Sequence, residues 1–225
     1  VNICIQTLAD MTNATSFTQP HILIGSNEDL DEEARKKGLA FDTKSNFSYT
    51  ASLGYKLIYV NEEKSLHGIN LTQIPQNPNS DQISYFSGIF EECSHSLRSD
   101  MYGKHDPVAL AVMLELTAVI DKERLFDFYY YNRHGVLPSP ELRERFRNVN
   151  ASISESSPRR NLPIQYVIGH RLGALFADSL TNNRDIAEDV IGAFDGLSPS
   201  DQLSYLIKDL GLKIDVYNKE EFVRC

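Results

Sequence analysis

Glu91, Glu92 and His95 fall within five residues, Glu91-Glu92-Cys93-Ser94-His95, in a stretch whose apolar residues recur with helical spacing. Successive helical residues turn by about 100°, so Glu91 and His95, at i and i+4, share one face. Two donors one turn apart on a rigid helix can ligate one metal ion. A neighbouring carboxylate, here Glu92, can orient or deprotonate water bound to it. Gly88 and Ser84 lie on the same face one and two turns earlier, and small residues there let another segment or a ligand come close to the helix.

Glu115 adds a third candidate. It sits within Pro107 to Ile120, a run otherwise apolar except for Thr117. On a helical projection its neighbours are Val108, Val112 and Val119. An ionised carboxylate on such a surface is costly unless it is paired or bound to a metal. His95 together with a cation would compensate it.

These positions resemble the gluzincin clan of zinc peptidases, which carries His-Glu-x-x-His on one helix and a glutamate ligand on the next, about twenty residues beyond the second histidine. Here the interval is 115 − 95 = 20 residues. The resemblance covers Tyr49 to Asp121, about a third of the chain. It implies that His95 and Glu115 match the second and third metal ligands, that Glu92 matches the general base, and that Glu91 stands where the first histidine ligand would be. Zinc is the metal such a clan implies. A ligand set of two carboxylates and one imidazole also suits Mn²⁺ or Fe²⁺. The added negative charge makes a metal-bound water less acidic than in a His-rich site. The expectation is therefore a degenerate metal-dependent hydrolase acting on peptides or proteins, or else a non-catalytic interaction or regulatory protein on the same zincin-like scaffold. A donor for the transition-state oxyanion is expected from His170 or Tyr166, with Arg171 a further candidate.

The elements that would position these residues read as α+β, in a single domain over 1–225 with a β-rich part over 1–80 and a helical part over 81–225. His21–Gly25 reads as a strand and Asp29–Lys37 as a short charged helix ended by Gly38. Tyr49–Asn61 alternates as one half-buried strand, with Gly54 at a bulge. The residues over 73–80 read as a loop. Asp81 is the expected N-cap of a helix to about Ser99, whose buried stripe is Ile83, Phe86, Phe90, Cys93 and Leu97. Pro107 opens the next helix, which runs into the aromatic cluster at 126–131 and closes at Gly135 and Pro138. Further helices are expected over 140–148, 162–180, 185–194 and 200–210, and a short strand over 212–216. Gly169 and Gly173, at i and i+4, point to close helix packing.

Composition narrows the function class. The net charge is −9, from 22 basic and 31 acidic residues, which disfavours nucleic acid or an anionic membrane as partner, since phosphate binding needs clustered Lys and Arg. No apolar run reaches the roughly 20 residues of a membrane span, and Val1 to Asp10 does not have the pattern of a signal peptide. Three cysteines without CxxC spacing (Cys4, Cys93 and Cys225) read as thiols of a reducing compartment, hence a cytoplasmic location. The four Asn-x-Ser/Thr sequons, at Asn13, Asn46, Asn70 and Asn150, are a number that chance can produce in this Asn-rich chain.

Blander readings compete at each position. A solvated helix face explains Glu91 and Glu92. A hydrogen-bonded core imidazole explains His95, and a buried ion pair to Arg98, Arg124 or Arg171 explains Glu115. Cys93 lies on the apolar stripe and reads as core, while the tyrosines at 129–131 read as helix packing. A ferritin-like di-iron bundle would need a second Glu-x-x-His, which the chain lacks.

Overall fold

The computed structural model describes residues 1–38, 47–52, 55–64, 70, 73–102, 107–147, 169–170, 172–174, 197–198, 200–202 and 204. Helices dominate, with one small sheet. In chain order the elements are α1 (Asn2–Met11), β1 (His21–Gly25), α2 (Asn27–Lys37), β2 (Phe47–Ser52), β3 (Tyr55–Asn61), α3 (Ser80–Tyr102) and α4 (Pro107–His134), with a helical segment at 140–147. The chain packs as two compact units. One comprises Val1–Met101 with Asp121–Val149, the other Tyr102–Ile120 with Asn150–Cys225.

In the first unit the sheet has the order β1-β3-β2. β1 pairs with β3 in parallel, Ile22 opposite Ile58, and β2 pairs with β3 antiparallel, Tyr49 opposite Ile58. A parallel neighbour requires a crossover, and α2 lies within it. Ser26 caps α2: its hydroxyl accepts from the Asp29 N–H while the Asp29 carboxylate accepts from the Ser26 N–H, a reciprocal capping box. Gly38 ends α2 at φ +63°, a left-handed conformation that glycine adopts without steric cost.

Two readings of the N-terminal third change. The stretch expected as one half-buried strand, Tyr49–Asn61, is divided between β2 and β3, and β3 is covered on both faces. Leu57 and Tyr59 pack with Leu30 of α2, while Ile58 and Val60 join the main core. A central strand with two buried faces has no polar side to reveal its register. The region is also less β-rich than expected, because residues 2–11 form α1, which buries Cys4, Ile5, Leu8 and Ala9 on one face.

The main core joins α1, the inner face of β3, α3, the second half of α4 and the 140–147 segment. The expected stripe on α3 is all buried, Cys93 included. Phe90 stacks on Tyr129 at 5.6 Å and Phe126 on Phe146 at 4.1 Å, so of the tyrosine run Tyr129 and Tyr130 are packing residues while Tyr131 is exposed. Burial pushes the Tyr129 phenol up to about 12, against the lowering effect of its hydrogen bond with Thr7.

The cap of α3 is Asn79, not Asp81. The Asn79 side chain accepts from the Gln82 N–H at 2.9 Å, and the Gln82 side chain accepts from the Asn79 N–H at 3.0 Å. This reciprocal pair is a capping box, with the residue three after the cap returning a bond to the cap's own N–H. The helix runs on to Tyr102. α4 opens at Pro107 and closes at Gly135 (φ +72°), as its sequence pattern indicates.

A buried ion pair joins α3 to the second half of α4. Arg98 donates to Asp121 from Nε at 2.8 Å and from Nη2 at 3.0 Å, and Ser94 Oγ donates to the same carboxylate at 2.8 Å. All three side chains are buried. Burial by itself would push the Asp121 carboxyl up. The Arg98 and Arg124 guanidiniums and the Ser94 hydroxyl outweigh it and hold the group below the usual carboxylate range.

The expected stability contribution of Asp121 is therefore complete above the unfolded-state carboxylate value, about 3.9, and lost as pH falls below it. Urea unfolding should show Asp121→Asn costing about 3–5 kcal/mol at neutral pH, because Arg98 is left as an uncompensated buried charge. The double variant Arg98→Met/Asp121→Leu should cost less than the single one.

Candidate metal centre

α4 supplies the setting for the candidate site. From Glu115 to Lys122 every residue is buried, and three of the eight are ionisable: Glu115, Asp121 and Lys122. A helix buried around its circumference offers no solvated face to charged residues, so each needs a partner.

Each has one. Asp121 meets Arg98 as above. Lys122, only 1% exposed, places Nζ 3.1 Å from Glu91 Oε2 on α3. Glu115 Oε2 lies 3.5 Å from His170 Nε2. Thr117, the remaining polar residue of the run, donates its hydroxyl to the Met113 carbonyl one turn back at 2.6 Å.

In the second unit, His170 reaches Glu115 because the backbone beside it lies against α4. A Cβ at Gly169 would collide with the Val112 carbonyl oxygen and meet Glu115 Cβ at 2.6 Å; one at Gly173 would meet Val119 Cβ at 2.7 Å. The paired glycines mark close helix packing, as their spacing indicates, and residues 169–170 and 172–174 are helical. On α3, a Cβ at Gly88 would meet the Phe47 ring at 2.5 Å. The small residue on the Glu91/His95 face therefore admits a neighbouring aromatic side chain.

Glu91, His95 and Glu115 each offer one donor atom, and these atoms lie within 4.8 Å of one another. The group could hold a metal ion. These residue types are ones that ligate divalent metals such as zinc. Glu91 and His95 are half-buried and Glu115 is buried. Glu92 is half-buried on the same helix. Of the oxyanion candidates, His170 is in contact with Glu115, while Tyr166 and Arg171 lie outside the described residues.

Of the arginines weighed as partners of Glu115 in the sequence, two are engaged with another carboxylate, and Arg171 lies outside the described residues. Arg98 is taken by Asp121, and Arg124 lies 4.0 Å from the same carboxylate. The residue that sequence reasoning passed over is Lys122. It stands seven residues after Glu115, two turns along one face of α4, and its neighbours Asp121, Glu123 and Arg124 give it the look of a solvated charge run. The usable signal was its position just after the apolar run of α4, 107–120.

Among the described residues no helix is long and apolar enough to cross a membrane. No protein-family model, curated protein or solved structure matches the chain.

Gly169→Ala should cost about 1–3 kcal/mol in thermal or denaturant unfolding, the usual penalty for forcing atoms into a packed contact. An exposed Gly→Ala change in a helix would instead stabilise.

Proposed function

We propose that Glu91, His95 and Glu115 hold a divalent metal ion, zinc first among the choices, and that the chain is a metal-dependent hydrolase of peptide bonds with a degenerate gluzincin-type site. The observation that carries this reading is the convergence of the three donors within 4.8 Å, in residues that the HExxH-like spacing had singled out. The burial of Glu115 in an apolar helix supports it further, since a metal is one of the few partners that offset such a group.

In this reading Glu92, three residues before His95 on α3, is the general base that takes a proton from the attacking water. His170, beside Glu115, donates to the oxyanion that develops on the substrate carbonyl. A bound divalent ion would supply Lewis-acid polarisation of that carbonyl. With Glu91 in place of a first histidine, the site is expected to hydrolyse more slowly than a His-rich one, because the extra carboxylate weakens that polarisation. Mn²⁺ and Fe²⁺ are the alternatives that an oxygen-rich ligand set favours.

A second reading has its own support. Glu91 and Glu115 both have protein partners, Lys122 and His170. A non-catalytic interaction or regulatory protein, in which the Glu/His cluster only balances buried charge, would be built in the same way.

Metal analysis of protein purified without chelator separates the two. The hydrolase reading expects one divalent ion per chain, lost in His95→Ala. Metal-free protein that takes up no added zinc would leave the second reading. If a peptide-hydrolysis assay gives activity, Glu92→Gln should lower kcat by about 100-fold or more while retaining the metal; full activity in that variant would remove Glu92 as the base.

A further inference from the structure

Lys122 is the buried group that the proposed reaction does not use. Its ammonium is 1% exposed and stands 3.1 Å from Glu91 Oε2. An ammonium taken out of water at that depth is retained only where an anion compensates it, and Glu91 supplies that charge. The same carboxylate is the one that stands in the first-ligand position of the metal group.

We infer that Lys122 is an internal cation that sets the metal affinity of the Glu91–His95–Glu115 group, neutralising Glu91 in the metal-free protein and weakening the hold on a divalent ion. The inference rests on the metal-site reading above. Its physical basis is charge counting. The Lys122 ammonium offsets part of the carboxylate charge that the group presents to a divalent ion.

Two consequences distinguish this from a merely structural ion pair. A divalent ion entering the group meets a fixed positive charge one carboxylate away, so repulsion opposes binding over a short distance and through a buried, poorly screened path. In addition, the ammonium already holds Glu91 Oε2, so a divalent ion must compete with it for that carboxylate. A structural pair would affect stability and leave metal affinity where it was.

Lys122 is thus a positioning and affinity-setting residue, not one that touches substrate. The group would then load a metal reversibly, according to the free concentration of the ion.

The test is zinc titration of purified, metal-stripped protein by isothermal calorimetry and by competition with a chromophoric chelator, comparing wild type with Lys122→Met. Circular dichroism and thermal unfolding verify the fold, and Lys122→Gln serves as a second, polar replacement should the methionine variant not fold. The expected result is an affinity for Zn²⁺ at least tenfold tighter in the variant, with a correspondingly larger zinc-induced rise in Tm. Tight binding in the variant with none in wild type would also uphold the inference, while removing the metal-loaded reading of the native chain. Equal affinity in both, or weaker binding in a folded variant, would overturn the inference and leave the metal site standing. Absence of zinc binding in both proteins would remove the metal site, and the inference with it.

Discussion

The middle of α4 is buried without interruption from Glu115 to Lys122, yet holds three ionisable side chains. That combination constrains its surroundings. An uncompensated charge at such depth costs several kcal/mol, comparable with a large part of a domain's net stability. The neighbouring elements must therefore present countercharges at fixed positions. α3 supplies two, Arg98 for Asp121 and Glu91 for Lys122, and the helical residues at 169–170 supply His170 for Glu115.

These pairs set the register of α3 on the second half of α4. Arg98 donates two hydrogen bonds to the Asp121 carboxylate, and Ser94 donates a third. A slide by one turn would break all of them, and apolar packing alone is less particular about register. Glu91 and His95 lie one turn apart on α3, and α3 is held where Lys122 meets Glu91. The same ionic bookkeeping accounts for the site and for the packing, which is why a metal centre and a structural charge cluster resemble each other so closely here.

Legibility differed with the kind of signal. α4 was readable end to end because Pro107 and Gly135 mark its limits and its apolar content is continuous. α3 was readable from the stripe Ile83, Phe86, Phe90, Cys93 and Leu97, but its start was misplaced at Asp81, since choosing between adjacent capping residues depends on which side chain reaches a backbone N–H, a matter of local geometry. β2 and β3 were read as one strand because the alternation of Leu53, Tyr55, Leu57 and Tyr59 runs across their junction, while the burial of both faces of β3 depends on its neighbours. α1 has helical spacing in Cys4, Ile5, Leu8 and Ala9, a pattern too short to be decisive before its partners in the core are known. The helix expected over 185–194, most of those over 162–180 and 200–210, and the strand over 212–216 lie outside the described residues.

For the site, the residue types and intervals were enough to select Glu91, His95 and Glu115, because helical geometry is local: i and i+4 share a face whatever the rest of the chain does. The same local rule marked Glu115 as a charge in need of a partner. Which partner it takes is a long-range matter. That Glu115 meets His170, that Arg98 is spent on Asp121, and that Lys122 turns inward to Glu91 all depend on how separate helices pack. Sequence by itself determined the helices, the faces and the candidate donors. Only the tertiary structure decided which charges neutralise one another, because Coulomb energy in a buried environment depends on distances of a few ångströms between residues far apart in the chain.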